Sequence, residues 1–345
     1  MKKIIYIFMS LAALFSVAGC DDVLDKQPQS SVTPSSYFKA EADLAAYSIN
    51  LYAFTSIGPG SYGISTFGSD NGTDNQAAVD YSSFWVPGEW RVSATSGVWN
   101  FSQIRHCNYF LEQVLPKHEA GEIQGSAANI RHYIGEIYLI RAYAYFNMLQ
   151  NIGDCPIVET ALPDQEEVLV EASKRQPRHK VARFILSDLD KAAQMLLETS
   201  PAGKTRVGKS VAHLLRSRVA LYEGTWLKHH KGTAFVPGGQ GWPGKTEDAS
   251  GLNIDSEISY FLTEAMASAK AVGEEIVGKL TENTDTEEGM DVSFKTLNPY
   301  YVMFCDYSLE NYPEVLMWRE YNEAQGVTHN IQMQLMRNGG GTGWA

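Results

Sequence analysis

Cysteine is scarce: four in 345 residues, at positions 20, 107, 155 and 305. Their wide spacing excludes a disulfide framework and a zinc knuckle. One disulfide could still form, but buried thiols are the expected state. Basic residues are also few, with 28 Lys and Arg against 40 Asp and Glu and a net charge of -12. Nucleic-acid affinity rests on cationic contacts to phosphate, so that partner class is excluded. Strand-like alternation is rare, Val315–Arg319 being the best instance. Enzyme signatures are missing as well: no His-Glu-x-x-His, no Gly-x-Ser-x-Gly elbow and no Cys-x-x-Cys. His229 and His230 are adjacent, so on a helix they point about 100° apart and do not converge on one metal. Asp70–Asn75 lacks the spacing and closing Glu of a calcium loop, and a turn explains it. No metal, no cofactor and no catalysis are expected.

What is present begins at the N-terminus. Lys2 and Lys3 precede the apolar run Ile4–Val17, which is too short to cross a bilayer as a helix. Small residues at Ala18 and Gly19 stand immediately before Cys20, and Asp21-Asp22 follow. This is the pattern of a bacterial lipoprotein signal: residues 1–19 are removed and Cys20 becomes the lipidated first residue. Acyl chains contribute about 0.8 kcal/mol per buried methylene, enough to hold a soluble body on a membrane with no spanning segment.

The remainder, residues 20–345, in a chain 44% hydrophobic and 20% charged, reads as globular and is long enough for one large or two ordinary domains with a substantial core. Helical periodicity dominates it. Ile130, Ile134, Ile137, Tyr138, Ala142, Tyr145 and Leu149 form one face of a helix from Ser126 to near Gly153. Val181, Ile185, Leu189, Ala192 and Leu196 form the stripe of a second from Pro177, stopped by Pro201-Ala-Gly203. A third, Lys209–Gly224, presents Val211, Leu214, Leu215, Val219 and Tyr222, and a fourth, Ser256–Val277, presents Ile258, Phe261, Leu262, Ala265, Ala269 and Val272. Earlier helices are expected at Glu41–Thr55 and Ser96–Leu115. Successive pairing predicts a mostly α, tetratricopeptide-like scaffold with little strand, though without that repeat's strict consensus. Long loops, Ser56–Thr95 and Lys231–Asn253, separate the helices; loops of this length are usually functional or tied down by tertiary contacts.

Four blocks give the chain a resemblance to the SusD/RagB family of Bacteroidetes nutrient-uptake lipoproteins. They are Leu24-Asp25 to Tyr37-Phe38, with Leu44 and Tyr52; Trp99 to Leu111, with Ile104 and Asn108; Gly135 to Pro156, through Arg141-Ala142 and Gly153-Asp154; and Arg175 to Ala192. Their order and spacing carry the likeness over nearly the whole chain. The resemblance implies a non-catalytic, cell-surface glycan-binding protein. It would cap a SusC-like TonB-dependent outer-membrane transporter and deliver oligosaccharides to it. Asp21-Asp22 is similar to the family's acidic surface-export signal, implying an outward-facing position. Family members continue well beyond a glycine-rich stretch like Gly339–Gly343, so a C-terminally truncated product is expected.

Sugar recognition needs flat apolar faces for pyranose C–H groups, with carboxylates, amides and guanidinium groups for the hydroxyls. Asp70, Asn75, Tyr81, Trp85, Trp90 and Arg91 supply both kinds in one loop, and Trp242, Tyr300 and Trp318 add further faces. Trp99 is assigned to the core, because it starts an amphipathic helix. Arg141 falls on an apolar stripe, where an unpaired charge is prohibitive, so a structural pairing with an acid such as Glu136 or Asp188, or with loop carbonyls, is expected over a clamp for a ligand carboxylate. Two rival functions remain. A surface glycoside hydrolase needs only two suitably separated carboxylates, and 40 acidic residues provide material for them. A helical-repeat adaptor would bind a protein and no sugar.

Overall fold

A computed structural model describes residues 37–52, 86, 89, 99–283, 298–325 and 327. The chain divides into two compact units, residues 1–39 and 40–345, and every element below belongs to the second. Cys20 and the loop candidates Asp70, Asn75, Tyr81, Trp85, Trp90 and Arg91 lie outside the described residues.

The described helices are α1 Glu41–Ile49, α2 Ser102–Glu119, α3 Ala127–Ile152, α4 Glu166–Ala172, α5 Arg178–Met195, α6 Lys209–His229, α7 Ile254–Ile276 and α8 Pro299–Met303. Neighbours in sequence pack as neighbours in space: α2 on α3, α3 on α5, α5 on α6 and α6 on α7, with α1 against α3. This is a tetratricopeptide-like helical scaffold.

α3 is its centre. Seventeen of its 26 residues are buried, more than one face can account for, because α1, α2, α5 and α6 all touch it. Its start is fixed by Ser126, whose Oγ accepts the Asn129 N–H, and by Glu41, which accepts the Ser126 N–H at 2.7 Å. Its end is fixed by Gly153, whose φ of 71° falls in the left-handed region that favours glycine. At Gly135 a Cβ would stand 3.0 Å from Met195 and 3.1 Å from Leu196, so the close approach of α3 to the end of α5 needs a glycine.

Arginine–carboxylate pairs pin the helix interfaces. Arg141 on α3 grips Asp188 on α5 through two bonds of 2.7 and 2.8 Å, and a third runs to Asn108 on α2. Arg178 on α5 reaches Glu223 on α6 at 2.9 Å, and Arg183 on α5 meets Glu257 on α7 at 2.9 Å. Arg216 on α6 bonds Glu264 on α7 and Asp190 on α5. Beside α3, Arg206 binds Glu136, and His132 donates to the same carboxylate from Nε2, because its Nδ1 accepts the Leu197 N–H. Those hydrogen bonds hold the Glu136 carboxyl below its ordinary range, against the opposing effect of its burial.

Several sequence expectations change. Val315–Arg319 is not a strand: the Val315 N–H closes a local turn onto the Tyr312 carbonyl, the Trp318 N–H reaches the Lys204 carbonyl, and these two bonds make no ladder. α1 ends at Ile49, short of Thr55, and α2 starts at Ser102, six residues after Ser96. α2 also continues past Leu115 with Pro116 in its last turn, where few backbone bonds remain to be lost. The buried side of α6 is Ala212, Arg216, Val219, Ala220, Glu223, Gly224 and Leu227, so Leu214 is 51% exposed. Ala269 on α7 is exposed and Ser268 is buried in its place, bonded to Arg216. Cys107 and Cys155 are buried free thiols, as expected, but Cys305 is exposed.

Candidate ligand cleft

A cleft of about 530 Å³ opens where the start of α5 meets the loop after α6. Asp154 builds it. Having turned out of α3 at Gly153, the chain places Asp154 so that Oδ1 accepts the Arg178 N–H at 2.8 Å, capping a helix whose own N-cap, Pro177, has no side-chain acceptor. Oδ2 accepts the Trp242 indole N–H, also at 2.8 Å. One carboxylate thus ties the head of α5 to a loop whose Trp242 lies 88 residues after Asp154 itself. Beside it, Gln176 donates its N–H to the Cys155 carbonyl, holding the two approach segments together. The Cys155 thiol beneath is pushed up to about 12, by burial first and by the Asp154 charge second.

Trp242 is fixed by its neighbours. A Cβ on Gly244 would stand 2.2 Å from the indole ring, so only glycine lets that ring lie against the backbone. The rest of the ring lines the cleft with Arg175, Gln176, Lys245 and Asp248. Arg175 lays its guanidinium over the Trp99 ring, 4.5 Å from the centroid. Trp99 is therefore not a core residue: it is 40% exposed, because α2 begins three residues later and leaves it outside the packed face. Arg178, three residues along from Arg175, turns inward to Glu223 and stacks on Trp226 at 4.3 Å.

Of the remaining ligand candidates, Tyr300 lies on α8, 43% exposed and edge-to-face with Phe304. Trp318 is half-buried, its indole N–H donated to Glu310 at 3.2 Å and its backbone N–H to Lys204. The Tyr300 and Trp318 segments both attach just after α7, through Asn298 to Asn283 and Glu314 to Thr281. Trp242 is elsewhere. It sits at the first residue of α5, while Lys204 lies in the loop beyond the last, and 18 residues of helix separate the ends by about 27 Å. Asp154, Arg175, Gln176, Lys245 and Asp248 were not singled out as ligand groups in the sequence, although Asp154 and Arg175 stand inside the blocks that carry the resemblance. Their signal was positional: an acid directly after a helix-ending glycine, and a base two residues before a helix-starting proline.

The arrangement combines indole surface with a carboxylate, an amide, a guanidinium and an ammonium group around one opening. Among the described residues no cluster of His, Cys, Asp or Glu could hold a metal ion, and no helix is long and apolar enough to cross a membrane. A family model described as "Starch-binding associating with outer membrane" matches residues 22–221, more than half of the chain.

The chain belongs to the SusD-like family. SusD-like protein P2 of Formosa agariphila is 25% identical over 264 residues, covering 68% of this chain and 46% of that protein. SusD-like protein P25 of the same organism is 22% identical over 247 residues, covering 65% and 43%. A solved SusD-like carbohydrate binding protein from Bacteroides fragilis is 15% identical with a TM-score of 0.48, covering 73% of this chain and 43% of that one. This SusD-like chain therefore spans less than half the length of the curated relatives it matches. The family match contains Asp154, Arg175 and Gln176 and stops before Trp242, so the loop side of the cleft lies outside the matched segment.

Proposed function

We propose that this chain is a non-catalytic glycan-binding protein of the cell surface, anchored through a lipidated Cys20, that passes oligosaccharides to a SusC-like TonB-dependent transporter. One observation carries the binding reading: in a member of a starch-binding family, Trp242 is held rigidly beside Arg175, Gln176, Lys245 and Asp248 in one open cleft. An indole fixed by a glycine and an N–H bond loses little freedom when a pyranose ring stacks on it, which favours binding. Asp154 supports recognition over hydrolysis, because both its oxygens already accept N–H bonds and a general acid needs a free proton position. Tyr300, Trp318 and the loop candidates Asp70, Asn75, Tyr81, Trp85, Trp90 and Arg91 remain proposed secondary contacts.

The test is to pass the full chain over immobilised starch, laminarin, xyloglucan and acidic polysaccharides, then assay the eluate for new reducing ends. Retention without cleavage, weakened by Trp242→Ala, is the expected result. Release of reducing sugar would favour the hydrolase, and no retention on any glycan would favour the protein-binding adaptor.

A further inference from the structure

The charges around the cleft do not follow the charge of the chain. The molecule carries -12 overall, yet Lys174, Arg175 and Lys245 line this opening against Asp154 and Asp248. These charges are not equally available. The two oxygens of Asp154 are committed to the Arg178 and Trp242 N–H groups. Lys174 is paired at the surface with Glu171. Arg175 and Lys245, by contrast, have no carboxylate partner among the described residues. Arg175 is also oriented: stacking on Trp99 fixes the plane of its guanidinium without neutralising its charge.

We infer that the cleft selects glycans bearing an anionic group, a uronate carboxylate or a sulfate ester, with Arg175 and Lys245 as its cationic receptors and Trp242 as the stacking face. This rests on the glycan-binding reading and adds the substrate class to it. A fixed guanidinium presents parallel N–H donors that match either oxyanion, a group a neutral sugar lacks, and the two cations outnumber Asp248, the remaining carboxylate of the lining.

The test is calorimetric titration of the full chain with oligogalacturonate, sulfated carrageenan oligosaccharides, and neutral malto- and laminari-oligosaccharides of similar length. Exposed ion pairs change affinity by about threefold each, so two of them set an expected acidic preference of about tenfold. That preference should shrink toward parity when salt is raised to about 1 M, where the screening length falls to about 3 Å. Lys245→Met and Arg175→Gln should each remove part of it, and Lys270→Met, on an exposed turn of α7 outside the cleft, should leave it intact. The uronate and sulfate arms show which anion is preferred. Equal or tighter binding of neutral oligosaccharides overturns this inference and leaves glycan binding standing, as does an acidic preference unmoved by salt or by both substitutions. Binding of no oligosaccharide overturns both.

Discussion

Replacing Arg141 with Met isolates the energetic logic of the scaffold. Asp188 is wholly buried and depends on Arg141 for two charge-assisted bonds of 2.7 and 2.8 Å. Removing the arginine strands that carboxylate, and breaking a buried pair from one side costs about 3–5 kcal/mol. Lys191, half-exposed, lies 3.7 Å from Asp188 and offsets part of this, so the expected loss is at the lower figure, about 3 kcal/mol. In the double variant Arg141→Met with Asp188→Leu, both charges are gone. What remains unmet is the Asn108 Oδ1 that Arg141 served, a loss of about 1 kcal/mol. The double variant should therefore be more stable than Arg141→Met by about 2 kcal/mol, since an apolar replacement of a buried pair is often tolerated. Urea unfolding followed by far-UV circular dichroism measures both. A double variant as unstable as the single one, or a single variant indistinguishable from the parent, would refute the reasoning. A folded Arg141→Met that lost only glycan binding would make Arg141 a ligand group instead of a structural one.

Two further predictions concern buried groups. His179 is 5% exposed and its ring is held down to about 4 from the ordinary 6.5, by burial first, with Lys180 and Arg183 acting in the same direction and Glu257 opposing. Below pH 6.5 the unfolded chain takes up a proton that the folded one refuses, so this contribution to stability is intact above 6.5 and falls as pH drops toward 4, by about 3 kcal/mol in all. His179→Leu should flatten the stability profile over that window relative to the parent, and superimposable profiles would contradict the assignment. Among Cys107, Cys155 and Cys305, brief thiol labelling of the native protein should modify Cys305 alone, because burial pushes the other two thiols up to about 12. Peptide mapping reads the result, and rapid labelling of Cys107 would contradict the packing of α2 on α3.

The scaffold was legible where helix signals agreed with one another. Ser126 and Gly153 marked the ends of α3 to within a residue, and Arg141 on its apolar stripe announced the buried acid found in Asp188. Legibility failed where a helix is packed on more than one side. α6 lies between α5 and α7, so its interior carries Arg216 and Glu223 alongside small residues, and its bulkiest apolar side chains do not mark its buried side. Trp99 shows a related failure: helical periodicity cannot place a residue that precedes the first turn. Trp242 stood out in the sequence only as a tryptophan within a Gly-Pro loop. Its partner Asp154, 88 residues earlier, was hidden, because no local pattern encodes a contact made only when α3, α5 and the loop after α6 have come together.

The most direct test of the central claim is hydrogen–deuterium exchange on the full chain, with and without the polysaccharide that retains it best. Glycan binding at the head of α5 predicts added protection in the peptides covering residues 153–156, 174–178 and 240–248. Protection confined to the segment around Tyr300 and Trp318, with those three peptides unchanged, would contradict it.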